Sequence, residues 1–129
     1  LRHIPGLYIA ETDLGRSVFT AEKVSTDDII ETCPVILVPE NEVQLIHSSV
    51  LHDYYFVWPA GGCVIALGYG SLYNHSSNPN AKVIFDLDED EIVIKAIRKI
   101  EPGDEIMIDY ADGDQNHELW FKEKGPDQK

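Results

Sequence analysis

Apolar residues in this chain come in short bursts rather than long runs, and most bursts alternate with polar neighbours. That period of two predicts strands. Residues 7–11 and 18–21 form two such bursts, and Thr12-Asp13-Leu14-Gly15 between them predicts a hairpin. Residues 29–38 are rich in β-branched side chains and stop at Pro39. A short apolar run, 64–67, precedes Gly68. Residues 82–87 and 91–96 flank Asp88-Glu89-Asp90 and predict an antiparallel hairpin. In its second strand Ile92, Ile94 and Ala96 share one face, and Val93 and Lys95 the other. Residues 105–109, after the Pro102-Gly103 turn, make a last short strand.

One segment has helical spacing. Val43, Ile46 and Val50 recur at intervals of three and four, with Asn41 as the predicted N-cap and Ser48-Ser49 as a weak point. Beyond Asp112 the chain is polar, and Leu119-Trp120-Phe121 is its apolar anchor. The expected fold is mainly β, with several small sheets and short helices. At 129 residues the chain is expected to be a single domain with one core.

Charge narrows the function. The formal net charge is −13, which repels phosphate backbones and argues against direct nucleic-acid binding. The same surface attracts cationic partners, such as a basic, lysine-bearing protein or peptide. No apolar run has the roughly 20 residues needed to span a bilayer, so no membrane partner is expected, and no signal-peptide pattern stands out. Cys33 and Cys63 sit in apolar stretches and read as buried reduced thiols, which favours a cytoplasmic setting. The five histidines show no metal-ligand spacing, and no metal site is expected.

Two stretches carry the candidate chemistry. Residues 71–80 read Ser-Leu-Tyr-Asn-His-Ser-Ser-Asn-Pro-Asn, too polar and turn-prone for a core strand. Here Asn74-His75 offers amide, imidazole and backbone groups within one bend. Residues 103–110 read Gly-Asp-Glu-Ile-Met-Ile-Asp-Tyr and end a short apolar run on the hydroxyl of Tyr110. Gly15-Arg16-Ser17 forms a glycine-lined turn that lets backbone groups approach a ligand. Tyr54, Tyr55, Phe56 and Trp58 form an aromatic cluster, suited either to packing or to a cationic side chain.

The order Asn-His-Ser-x-x-Pro-Asn, then Gly-Asp-Glu-Ile and Tyr110, resembles the SET-domain protein-lysine methyltransferases. The short chain is similar to stand-alone bacterial and viral forms, without the cysteine-rich zinc segment that follows the domain in many eukaryotic members. The resemblance runs from about residue 6 to 110. It implies the SET fold, with the C-terminal strand and tail threaded as a pseudoknot and residues 111–129 closing a cofactor pocket. It also implies S-adenosyl-L-methionine as methyl donor, held by Gly15, Arg16, Ser17, Asn74 and His75, with Trp120 either stacked on the adenine or pinning the tail. Tyr110 is the implied catalytic residue, in contact with donor and substrate. Tyr54, Tyr55 and Ile108 are the implied lysine-channel residues.

Ser17 stands where the family's Gly-x-Gly motif has its second glycine. Positive φ at that position would strain a serine. That departure motivates the alternative of a non-catalytic SET module that binds a basic peptide or the cofactor.

Overall fold

The computed structural model of the protein describes residues 2–110. Among these residues nine strands fall into three small sheets. The first hairpin pairs β1 (Leu7–Thr12) with β2 (Gly15–Thr20), Thr12 opposite Gly15. Gly15 closes the two-residue turn at φ +99, a conformation that costs a residue without Cβ little. The strand therefore begins earlier than the apolar burst at 18–21, because Arg16 and Ser17 pair with Glu11 and Ala10.

The central sheet has the order β4-β5-β3-β8-β7, from Tyr55–Val57, Cys63–Ala66, Ile29–Val38, Glu91–Ala96 and Ala81–Asp86. β3 serves two partners. Its first half pairs with β8, and Val35 to Val38 pair with β5. Pro34 sits at this change of partner, where its missing N–H disturbs the ladder least. Ile92, Ile94 and Ala96 are fully buried on one face of β8, as their alternation predicts. They pack with Val18, Ile30, Val64, Ile100 and Ile106 in one core. Cys33 and Cys63 are buried free thiols. β4 escaped the sequence reading, being three residues long and aromatic rather than alternating.

The helical segment is shorter than its spacing predicts. A 3-10 turn (Glu40–Glu42) leads into α1 (Val43–His47), whose N-cap is Glu42, not Asn41, and makes no side-chain cap bond. The helix ends at its C-cap Ser48, and Ser49, with extended backbone, accepts through its hydroxyl from Leu51 N–H to start a second 3-10 turn, Val50–Asp53. Val50 is 82% exposed, so its spacing marks no buried face.

The third sheet is the smallest. β6 (Asn74–His75) runs parallel to β9 (Met107–Ile108), Asn74 opposite Met107 and His75 opposite Ile108. The segment before β9 also runs beside β2: Ile106 N–H donates to Val18 C=O (2.9 Å) and Gly103 N–H to Thr20 C=O (2.7 Å). One late segment thus stitches the N-terminal hairpin to the Asn-His strand.

Candidate active site

Asn74 and His75 were expected in a loop and lie in a strand instead. Part of the cost of burying the pair is offset by bonds to the Asn74 amide nitrogen and to His75 Nδ1. Asn74 is fully buried, and its Nδ2 donates to Glu105 Oε2 (2.9 Å) and, more weakly, to Thr12 Oγ1 (3.4 Å). Thr12 Oγ1 in turn donates to Gly15 C=O (2.8 Å) and accepts from Leu14 N–H (3.0 Å). The Gly15 turn is thereby tied to Asn74.

Asn80 completes the frame. Its Nδ2 donates to Glu105 C=O (2.9 Å), and its Oδ1 accepts from Met107 N–H (2.8 Å). Ser76 N–H donates to Ile108 C=O (2.9 Å). The motif loop is thus bonded to the last strand at both ends. Asn80 lies within the resembling motif, but its backbone-like bonding could not be read without the fold. Thr12 lies in the hairpin turn and Glu105 in the Gly-Asp-Glu-Ile motif, but neither position signals that its side chain bonds Asn74.

Tyr110 meets the Asn-His strand directly. Its backbone N–H donates to His75 Nδ1 (3.1 Å), and the two rings lie 5.0 Å apart. Its hydroxyl donates to Tyr73 C=O (3.0 Å). The phenol is 9% exposed, and Phe56 packs edge-on against it at 6.4 Å. Burial foremost, then the charges of Asp53 and Tyr54, pushes the Tyr110 hydroxyl well above its ordinary pKa. It stays protonated at neutral pH. Burial also lowers the His75 pKa, against the opposing pull of Asp109, whose carboxylate lies 3.8 Å from Nδ1. A neutral ring is what the bond from Tyr110 N–H requires, since Nδ1 must accept.

The remaining site residues divide. Ser17 lies in β2 with ordinary strand pairing and is not among the positive-φ residues, so the expected strain is absent. Its hydroxyl is buried and has no hydrogen-bond partner among the described residues; the same holds for Asn74 Oδ1. Arg16 is exposed beside it. Tyr55 is 5% exposed, and its hydroxyl bonds His47 Nδ1 (2.9 Å), while Tyr54 is half-buried and bears electrostatically on Tyr110. Ile108 is fully buried within the core cluster. Trp120 and residues 111–129 lie outside the described residues. A shallow hollow lined by residues 2–5 with Ile29, Ile30 and Thr32 is separate from this constellation and brings together none of its groups.

Among the described residues these two buried polar atoms lack partners, a cost that this part of the fold does not itself offset. An amide oxygen and a hydroxyl beside a glycine turn suit the ammonium and carboxylate of an amino-acid group. The residues present therefore fit the amino-acid end of S-adenosyl-L-methionine.

A SET-domain family profile matches residues 15–111. The histone-lysine N-methyltransferase of Schizosaccharomyces pombe described as specific for H3 lysine-37 is 33% identical over 111 residues, covering 85% of this chain and 72% of that protein. A solved structure of a candidate histone methyltransferase from Plasmodium falciparum superposes with a TM-score of 0.69 at 31% identity, covering 84% of this chain and 95% of that one. The Asn74-His75 strand, the Tyr110 phenol and these matches have one reading: the chain belongs to the SET-domain family.

Proposed function

We propose that the protein is an S-adenosyl-L-methionine-dependent protein-lysine methyltransferase acting on a basic protein, with histone-like proteins the first candidates. The observation that carries this is the meeting of Tyr110 with the Asn74–His75 strand, through the 3.1 Å bond to His75 and the 3.0 Å bond to Tyr73 C=O. The similarity to the Schizosaccharomyces pombe histone-lysine N-methyltransferase supports it.

When bound, S-adenosyl-L-methionine supplies a methyl group on a positively charged sulfonium, open to in-line displacement by an amine. Asn74 Oδ1 and Ser17 Oγ hold the donor's amino-acid end, with the Gly15 backbone and Arg16 alongside. His75 shapes the pocket through its backbone and keeps its ring for Tyr110. The Tyr110 hydroxyl has spent its proton on Tyr73 C=O, so towards substrate it acts as an acceptor. It orients the reacting groups by weak polar contact and excludes alternatives by position. Its raised pKa makes it a poor general base, so the lysine proton leaves to water. Asp53 and Tyr54 both bear electrostatically on this hydroxyl, and an aromatic side chain and a carboxylate acting on the same point suit an incoming ammonium. Tyr54 is therefore the better channel residue, whereas the Tyr55 hydroxyl is already engaged with His47.

The test is label transfer from methyl-labelled S-adenosyl-L-methionine to core histones and to a basic whole-cell protein fraction, with modified residues mapped by mass spectrometry. Label on lysine, lost in a Tyr110→Phe variant, is the expected result. No transfer to any basic protein would overturn the proposal.

A further inference from the structure

We infer that Glu31 is a positioning residue of the active site, acting through Tyr73 on Tyr110 and on the Asn74–His75 strand. This rests on the methyltransferase reading and extends it to a residue far from the motifs.

Glu31 lies in β3 inside the β-branched run, with Ile30 and Cys33 as buried neighbours. It is 2% exposed, where an apolar side chain would be expected. A register shift between Ile29 and Glu31 turns it inward next to Ile30. Its carboxylate is well used. Oε2 accepts from Tyr69 N–H (2.9 Å), and Oε1 accepts from the Tyr73 hydroxyl (2.7 Å). Burial, and after it the nearby Glu31 carboxylate, pushes the Cys33 thiol well above its ordinary pKa. The chain can pass this close because position 68 is glycine, at φ +70; a Cβ there would collide with Glu31 Oε2.

From there the connection runs to the chemistry in one step. Tyr73 is 1% exposed, and its ring is anchored at the tip by Glu31. Its backbone carbonyl is the acceptor for the Tyr110 hydroxyl, and its next residue is Asn74. Holding the Tyr73 hydroxyl while its backbone carbonyl accepts from Tyr110 therefore fixes the direction of that carbonyl and the start of β6. An apolar residue at 31 would fill the core at lower desolvation cost, but would leave the Tyr73 O–H and Tyr69 N–H without acceptors. The carboxylate is the group that meets two donors at once, one oxygen each.

The experiment compares wild type with Glu31→Gln, Tyr73→Phe and the double variant in steady-state methyl transfer, with urea unfolding and donor binding measured in parallel. Tyr73→Phe is the milder change, since it keeps the ring and removes only the bond to Glu31. The inference expects kcat to fall roughly 10- to 100-fold in each single variant while the protein stays folded and peptide KM holds within about twofold. It also expects the double variant to be no slower than the worse single, because both act through one bond. Lowered stability with an unchanged kcat in the folded protein would mean a merely structural role and would overturn the inference. So would losses that multiply in the double variant. An inactive wild type would defeat the methyltransferase reading itself, and this inference with it.

Discussion

Replacing Asn80 with alanine should separate the frame of the site from its chemistry. The Asn80 side chain makes two bonds to the backbone of the last strand, to Glu105 C=O at 2.9 Å and from Met107 N–H at 2.8 Å. Each such bond contributes about 1 kcal/mol net, which sets a floor near 2 kcal/mol. The stranded N–H and C=O lie in part-buried surroundings and raise the cost towards about 4 kcal/mol. Tyr110 follows Met107 by one short turn of chain, so loosening this strand also misplaces the phenol. Urea denaturation followed by circular dichroism gives the stability, and calorimetry gives the donor affinity. Asn80→Asp is the informative partner, because it keeps the acceptor for Met107 N–H but turns a carboxylate towards Glu105 C=O. It should be at least as unstable as the alanine variant. A cost below about 0.5 kcal/mol with undiminished donor binding would refute the view that Asn80 holds the two halves of the site together.

Other substitutions test single parts. Ser17→Ala removes a buried hydroxyl without a partner, so stability should hold within about 0.5 kcal/mol while donor affinity falls about fivefold or more; equal affinity would remove Ser17 from the pocket. Tyr110→Phe should cost only about 1 kcal/mol in stability, leave donor binding nearly intact and abolish most turnover, as read by single-turnover methyl transfer. Gly68→Ala should destabilise by about 1 kcal/mol or more in thermal melts, because its φ of +70 and the adjacent Glu31 carboxylate both oppose a Cβ. The His75 pKa is lowered in the fold, so the unfolded chain takes up its proton first as pH drops below about 6.5. That part of the stability is present above the unfolded pKa and lost as pH falls towards the folded one. Unfolding midpoints at about pH 7.5 and 5.5 should differ less in a His75→Gln variant than in wild type.

Much of the fold was legible because its strands obey the period of two. The β7–β8 hairpin follows directly from the alternation of Ile92, Ile94 and Ala96, and all three are fully buried. The helical segment misled because Val43, Ile46 and Val50 carry a helical spacing without a core to face, and Ser49 offers the backbone an alternative bond. Asn74-His75 was placed in a loop because polarity is a fair guide only until a partner is known. Glu105 and Thr12 supply that partner from distant parts of the chain, and no local pattern announces them. The expected strain at Ser17 arose from comparing residue types, whereas the backbone there is ordinary strand. Glu31 was visible only as a carboxylate within an apolar run. Its role emerged from two bonds that the folded chain brings together.

Backbone amide resonances followed while S-adenosyl-L-methionine is titrated into isotope-labelled protein would test the central claim most directly. Shifts should concentrate at Gly15 to Ser17, Tyr73 to His75 and Tyr110, the groups that the last strand draws together. Saturable shifts confined to the hollow around Arg2, Ile4 and Ile29, or no shifts at a large excess of ligand, would contradict it.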